Sequence, residues 1–380
     1  MRVAVLGGGP AGLYFAYLWK RRSPASEVVL FEQNPANATF GFGVVFSDRA
    51  LDFLRADDPE TAELITPRME TWRDITLVHR GEAISIDGVG FSAIGRLEFL
   101  QLLQARVGST GVVPRFETLI RSVNELDGFD LIVAADGVNS LIRHSFEGDF
   151  RMSLSYLDNK FAWFGTTKRF ETLTQTFVRT ELGFFNAHHY RYSSTMSTFI
   201  VECDHATWLR AGFDGLSPEE SQVLCERVFA DALDGHGLVS NKSVWRNFPW
   251  IWNKRWSHRN MVLVGDALHT AHFSIGSGTR LALEDVIALV KALGEEPNDL
   301  QAGLERYEAT RRPIVEKLVR ASRTSADWYE QFHEHMRLAP LDLAYNYMVR
   351  SGRVSNERLR ETSPKFMARY DRQRSKTEAE

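Results

Sequence analysis

The sequence predicts an α/β fold in which a parallel-stranded domain is assembled from separated segments, with an antiparallel β-sheet inserted between them and helices closing the C-terminal end. Three observations predict it. A short apolar strand, a glycine turn and a helix open the chain; short buried runs of the same strand type return near residues 131 and 261; and between these lie aromatic and β-branched runs broken by polar turns. At 380 residues the chain has room for two or three such units. Hydrophobic residues at 44% and charged residues at 25% are those of a folded globular protein and exclude disordered, collagen-like and coiled-coil classes. The net charge of −4 recommends neither nucleic acid nor an anionic membrane as a partner. Two cysteines, Cys203 and Cys225, form no CxxC pair, which argues against a disulfide framework or zinc site and for a reducing cytoplasm.

In chain order, residues 2–6 form a valine-rich strand, 13–22 a helix and 28–32 a second strand, a βαβ unit of about 30 residues. Residues 3–19 are uncharged and run into Lys20-Arg21-Arg22, the outline of a targeting or membrane segment. Gly7, Gly8, Gly9, Pro10 and Gly12 in its middle would break an apolar helix and suit a strand, turn and helix instead. Helices are expected at 47–56 and 96–106, and strands at 76–86 and 131–135. Runs 161–166, 175–179, 184–192 and 196–202 read as the antiparallel sheet. Residues 261–264 return to the parallel type, followed by helices at 280–293, 300–323 with a kink at Pro313, and 325–338, then a frayed polar tail from 371 to 380. This divides the chain into a discontinuous domain of residues 1–72, 93–150 and 258–325, a sheet domain of 73–92 and 151–257, and a C-terminal helical segment, 326–380.

Gly7-Gly8-Gly9-Pro10-Ala11-Gly12 fits GxGxxG between a strand and a helix, and Glu32 stands 20 residues beyond Gly12 at the end of the second strand, followed by Gln33. This is the Rossmann-like arrangement. Gly7 permits the tight turn, Gly9 lets the backbone approach a pyrophosphate, Gly12 lets the helix pack on the sheet, and the helix N-terminus attracts the anion. The motif alone does not separate NAD from FAD. Asp136-Gly137 after strand 131–135 and Gly265-Asp266 after strand 261–264 each put an aspartate at the C-terminal edge of a parallel strand, where open α/β sheets bind ligands.

Together with Arg96 these segments resemble the signatures of the class A aromatic hydroxylases, the para-hydroxybenzoate hydroxylase type of flavin monooxygenase, over roughly residues 1–330. The resemblance implies FAD, an FAD-binding domain, and NADH or NADPH as reductant. It gives Asp136 and Gly137 to the pyrophosphate and a nicotinamide, Gly265 and Asp266 to the ribitol, and Arg96, with Gln104, to the FAD phosphates. In residues 272–279, Gly276 and Gly278 keep backbone amides available to the flavin ring, and Thr279 stands where asparagine is usual; Asp285 matches a helix aspartate of the family. The implied chemistry passes through a flavin C4a-hydroperoxide formed from O2, which attacks an electron-rich ring, so the protein must exclude water and align the substrate.

Residues 40–48 and 91–96 resemble the subgroup of salicylyl-CoA 5-hydroxylase and the monooxygenase half of 2-aminobenzoyl-CoA monooxygenase/reductase, and residues 192–203 and 236–240 are similar to the tryptophan hydroxylase of violacein biosynthesis. The expected substrate is an aryl-CoA thioester, foremost salicylyl-CoA going to 2,5-dihydroxybenzoyl-CoA; 2-aminobenzoyl-CoA, tryptophan or indole, and a flavoprotein without oxygenase activity are the alternatives. The glycine-rich loop and the inserted sheet offer Phe42, Val44, Trp163, Phe185 and Tyr190 as pocket walls, although strand alternation puts at least half of the sheet aromatics in the core. Lys168 and Arg191, with Lys160, Arg169 and Arg179, are the cations expected near CoA phosphates. His188, His269 and His272 are the candidate proton handlers, each with a plain structural role as the alternative. Four histidines without carboxylates at ligand spacing indicate no metal. A monomer or homodimer is expected.

Overall fold

The computed structural model describes residues 1–47 and 51–377, so Asp48 of the glycine-rich stretch, the opening of the helix expected at 47–56 and the end of the tail lie outside the described residues. The fold is mixed α/β. A five-stranded sheet runs in the order Ser257–His258, Met261–Leu263, Leu131–Ala134, Arg2–Leu6, Glu27–Phe31. Its inner pairs are parallel and in register, Leu6 beside Ala134 and Leu263 beside the same alanine. The C-terminal ends of three strands from distant parts of the chain therefore lie side by side. The helix Pro10–Arg22 packs on this sheet and against the helix Gly278–Glu295, burying Leu13, Phe15, Val286 and Leu289 with Val3 to Leu6.

A larger sheet runs in the order Leu238–Ser240, Met152–Thr166, Ser197–Cys203, Gly183–Arg191, Leu173–Thr180, Ile75–His79, Glu82–Ile86, with Arg246–Asn253 also paired to Met152–Thr166. Its pairs are antiparallel except that of Leu173–Thr180 with Ile75–His79. The run 76–86, expected as one strand, is a hairpin turned at Arg80 and Gly81, both at positive φ. A further three-stranded sheet of Gly43–Ser47, Phe91–Gly95 and Glu70–Trp72 was not expected, because its strands are short and flanked by glycines.

The helix Leu300–Glu330 continues through Pro313 and absorbs the start of the helix expected at 325. The tail is not frayed from residue 371: the helix Pro364–Thr377 carries it, held by Phe366, Met367 and Tyr370 on its apolar face, by Tyr345 stacked on Tyr370, and by Arg360 paired to Asp371. The helix Pro340–Val349 packs Leu341, Leu343 and Ala344 on the hairpin residues Leu77, Ile84 and Ile86, so the C-terminal segment covers one end of the large sheet. Cys203 and Cys225 are free and buried in the core behind that sheet.

Candidate active site

The glycine turn has three glycines with three different jobs. A Cβ on Gly7, at φ +99°, would stand 2.4 Å from the Ala135 carbonyl oxygen, and one on Gly12 would stand 1.9 Å from the Gly7 oxygen. Gly9 would meet nothing within 4 Å, because it faces an open cleft that Pro10 and Ala11 also line. The helix begun there has no side-chain cap, and its positive end opens on the cleft. Glu32 takes the Gly8 N–H at 2.6 Å on one oxygen and the Asn34 N–H at 2.8 Å on the other, so it braces the turn. Gln33 is exposed and does not line the cleft.

The other two strand ends converge on the same rim. Asp136 accepts from the Leu141 N–H at 2.8 Å with one oxygen, while the other is buried without a partner; burial holds the carboxyl above the ordinary range. Gly137, at φ +74°, opens on the cleft. Asp266 opens on it too, exposed to the cleft, and desolvation by the surrounding walls raises its carboxyl against the pull of His269 and Arg96. Between the two turns lies Arg143, wholly buried, donating to the carbonyls of Gly137 at 3.3 Å, Ala267 at 3.1 Å and Val138. The Gly265 turn is fixed from behind by Asp285, which accepts from the Gly265 N–H at 3.3 Å, His269 Nε2 at 2.9 Å and Arg311 Nε at 2.8 Å. Burial would raise the Asp285 carboxyl, but His269 and Arg311 outweigh it and hold it low.

A second helix N-terminus opens on the same cleft. Ser277 places no side-chain cap on the helix Gly278–Glu295, and Gly276, Gly278 and Thr279 line the cleft there. A Cβ on Gly278 would meet nothing. Arg96 projects between Asp266 and Tyr190; burial lowers its guanidinium pKa, against the effect of these two neighbours. Gly9, Pro10, Ala11, Arg96, Gly137, Asp266, Gly276, Gly278 and Thr279 border one cavity of about 1710 Å³, above the roughly 300–1,000 Å³ of a single drug-sized ligand.

At its other end the cavity floor is one face of the large sheet: Leu173, Gln175, His188, Tyr190 and Ile200, with Trp163 at the side. Val44 closes it from the small sheet, and the Tyr190 hydroxyl donates to the Gly43 carbonyl at 3.1 Å. His188 contacts the cavity edge-on: Nε2 is 3.1 Å from Glu202 and Nδ1 is 3.0 Å from Gln175 Nε2. Burial, with Arg350 nearby, pushes its pKa down to about 3.

The remaining expected site residues lie elsewhere. Alternation along Gly183–Arg191 puts Phe185, His189 and Arg191 on the face opposite His188 and Tyr190. Phe185 is core, edge-on to Phe229. Arg191 pairs with Glu70 at 2.8 Å and donates to the Phe170 and Thr71 carbonyls. Lys168 pairs with Asp234 at 2.6 Å. Phe42 is wedged over Gly165, where a Cβ would come within 2.5 Å of its ring. His269 belongs to the Asp285 brace, and His272 packs behind the wall on Phe248 and Phe273. Sequence reasoning missed Gln175 and the cations Lys242, Arg246, Arg350, Arg353 and Arg358 on the cavity wall. No local motif marks them.

Two uncapped helix ends, a left-handed glycine turn at each of three strand ends, and a buried aspartate oxygen left without a partner make a cradle for an extended dinucleotide, the site of an FAD-binding flavoprotein. Residues 128–322 match the family model described as FAD binding domain. The chain is 43% identical over 361 residues to salicyloyl-CoA 5-hydroxylase of a Streptomyces species, covering 92% of this chain and 70% of that one. It is 36% identical over 357 residues to 3-hydroxy-4-methyl-anthranilyl-[aryl-carrier protein] 5-monooxygenase of Streptosporangium sibiricum, covering 93% and 95%. In fold it is similar to the crystal structure of a 2-methyl-3-hydroxypyridine-5-carboxylic acid oxygenase mutant, with TM-score 0.71 at 16% identity over 95% and 96% of the two chains. The chain belongs to the FAD-dependent flavin monooxygenase family.

Proposed function

We propose that this enzyme inserts one oxygen atom from O2 into the ring of an aryl-CoA thioester, salicylyl-CoA first, giving 2,5-dihydroxybenzoyl-CoA, with NADH or NADPH as reductant. The observation that carries the reading is the mouth of the cavity. Beside the aromatic floor the cavity is lined by Lys242 and Arg246 from the end of the large-sheet segment and by Arg353 and Arg358 from the C-terminal segment. Among the described residues, Lys242, Arg246 and Arg353 have no carboxylate within ion-pair distance. Unpaired cations around an open channel suit a polyanionic tail, whereas free tryptophan would want a compact pocket. The identity to salicyloyl-CoA 5-hydroxylase favours the same substrate class.

Bound FAD would supply the activation of O2 for electrophilic transfer to the ring. The chain's residues bind and orient. The amides at Gly9 and Ala11, with Arg96 and the turn at Gly137, would hold the FAD phosphates, Asp266 its ribitol hydroxyls, and the Gly276 to Thr279 amides the edge of its ring system. Val44, Trp163, Tyr190 and Ile200 keep water from the reacting ring. Of the three candidate proton handlers only His188 reaches the cavity, and both its nitrogens are engaged, so it acts through Gln175.

On this reading residues 1–72, 93–150 and 258–325 hold FAD, residues 73–92 and 151–257 carry the substrate face, and segment 326–380 completes the wall through Tyr347, Met348 and Arg350. Cytoplasmic placement is supported by two free, buried cysteines and by the absence, among the described residues, of any helix long and apolar enough to cross a membrane. A monomer or homodimer is the working assembly. The test is oxygen uptake and product mass with salicylyl-CoA, free salicylate and tryptophan on the yellow holoprotein. Coupled hydroxylation of the thioester alone is expected; equal turnover of free salicylate or tryptophan overturns the aryl-CoA assignment.

A further inference from the structure

A chain of hydrogen bonds behind the cavity floor has its direction set at one end by a group that cannot reverse. The Tyr329 backbone carbonyl only accepts, so Asn159, 2.8 Å away, must turn its Nδ2 to it and with the same Nδ2 donates to Glu202 Oε1 at 2.9 Å. The second Glu202 oxygen lies 3.1 Å from His188 Nε2; with Glu202 ionised, as Asn159 and His272 favour against burial, it only accepts, so that nitrogen carries the proton. His188 Nδ1 is then an acceptor, and Gln175 must present Nε2 to it, at 3.0 Å. The Tyr329 hydroxyl agrees, donating to Gln175 Oε1 at 3.1 Å. Each of these side chains is at least nine-tenths buried. Gln175 Nε2 has two hydrogens and one partner, and the residue borders the cavity.

We infer that Gln175 offers the bound aromatic substrate a hydrogen-bond donor, and so selects a ring bearing an oxygen substituent over one bearing an amino group. This rests on the aryl-CoA reading and narrows it. A phenolic oxygen has a lone pair for this N–H; an aromatic amine meets it with hydrogens of its own, and a buried donor facing a donor is penalised. Glu202 and Asn159 lie off the cavity, and His188 borders it with both nitrogens engaged; all three are positioning residues that decide which end of the Gln175 amide faces the cavity.

The directionality makes a sharp test. In Glu202→Gln, Asn159 still donates toward its position, which keeps the new amide oxygen there and turns its NH2 to His188 Nε2. His188 then carries its proton on Nδ1, and Gln175 turns its oxygen to that proton and a lone pair to the cavity. Dissociation constants for salicylyl-CoA, 2-aminobenzoyl-CoA and benzoyl-CoA are measured by calorimetry on FAD-loaded wild type, Gln175→Leu and Glu202→Gln, with flavin content and Tm checked for each. Wild type is expected to prefer salicylyl-CoA over 2-aminobenzoyl-CoA, and Gln175→Leu to weaken salicylyl-CoA about tenfold and benzoyl-CoA less than about twofold. Glu202→Gln is expected to move the preference toward 2-aminobenzoyl-CoA, which loosened packing alone would not do. Equal weakening of all three by Gln175→Leu, or an unchanged ranking in Glu202→Gln, overturns the inference and leaves the aryl-CoA reading standing. Wild-type protein that binds none of the thioesters overturns both.

Discussion

At the end of the cleft proposed for FAD the lining is mostly main chain, at Gly9, Gly137 and Gly278, backed by left-handed turns at Gly7 and Gly265 and by braces such as Arg143 and Asp285 that hold loops without reaching the cavity. At the substrate end they are side chains from strands and helices far apart in sequence: Gln175, His188, Tyr190, Arg246 and Arg350. A backbone site tolerates little change of shape, because one added carbon displaces the chain itself. A side-chain site can change its chemistry one residue at a time while the sheet beneath it stays put. That division lets one flavin cradle serve many ring substrates.

The largest expected effect lies at the backbone end. Gly12→Val puts a branched Cβ within 1.9 Å of the Gly7 oxygen, an overpacking that should cost at least about 3 kcal/mol. Purified variant should lack the flavin absorption bands and melt early; yellow protein with wild-type Tm would show that the turn yields to an added side chain.

Acid should act next, through the large sheet. Burial pushes His188 and His189 to about 3 and His272 to about 4, against an unfolded value near 6.5. Between these values the unfolded chain binds more protons, so stability is fully present above about pH 6.5 and is lost as pH falls, by up to about 1.4 kcal/mol per unit for each histidine. Glu202, raised by burial, works the other way and offsets part of one of them. Tm should fall steadily from pH 7 to pH 5; a flat profile would mean these rings are charged in the fold.

The two ends also differ in how legible they are in sequence. GxGxxG, Asp136-Gly137 and Gly265-Asp266 are readable because each constraint is local: a glycine at positive φ beside a strand end leaves a mark within six residues. Gln175 is not readable in this way. Its partner His188 faces it across a strand pair, Glu202 and Asn159 come from two more strands, and Tyr329 comes from a helix 154 residues away in the chain. Alternation correctly puts His188 and His189 on opposite faces but does not say which face is the pocket, and that missing phase is why Phe185 and Arg191 were placed there. The small sheet of Gly43–Ser47 was missed for a related reason, since its partners lie about 50 residues on.

Arg143→Met separates the ends more finely. It leaves the carbonyls of Gly137, Val138 and Ala267 without their buried donor and should loosen the turns at Asp136-Gly137 and Gly265-Asp266. The Kd for FAD, followed by flavin fluorescence, should rise about 10- to 100-fold, while thioester binding to fully loaded variant changes less than about twofold. Comparable loss in both would mean that the cleft responds as one body.

The smallest effect belongs to the mouth, where the cations are solvated and screened. Arg246→Glu should raise KM for an aryl-CoA thioester about 3- to 10-fold at low salt with kcat and FAD content unchanged, and the difference should shrink as ionic strength brings the Debye length below about 8 Å. Lys168→Glu is the matched comparison: a charge reversal of the same size on a side chain already paired to Asp234, off the cavity, that should leave KM alone. If Lys168 proves the more sensitive of the two, the anionic tail leaves the cleft past the outer face of the sheet instead of between Lys242, Arg246 and Arg353. If neither responds, the substrate carries no polyanion, and the reading reverts to a small aromatic ring on the same floor.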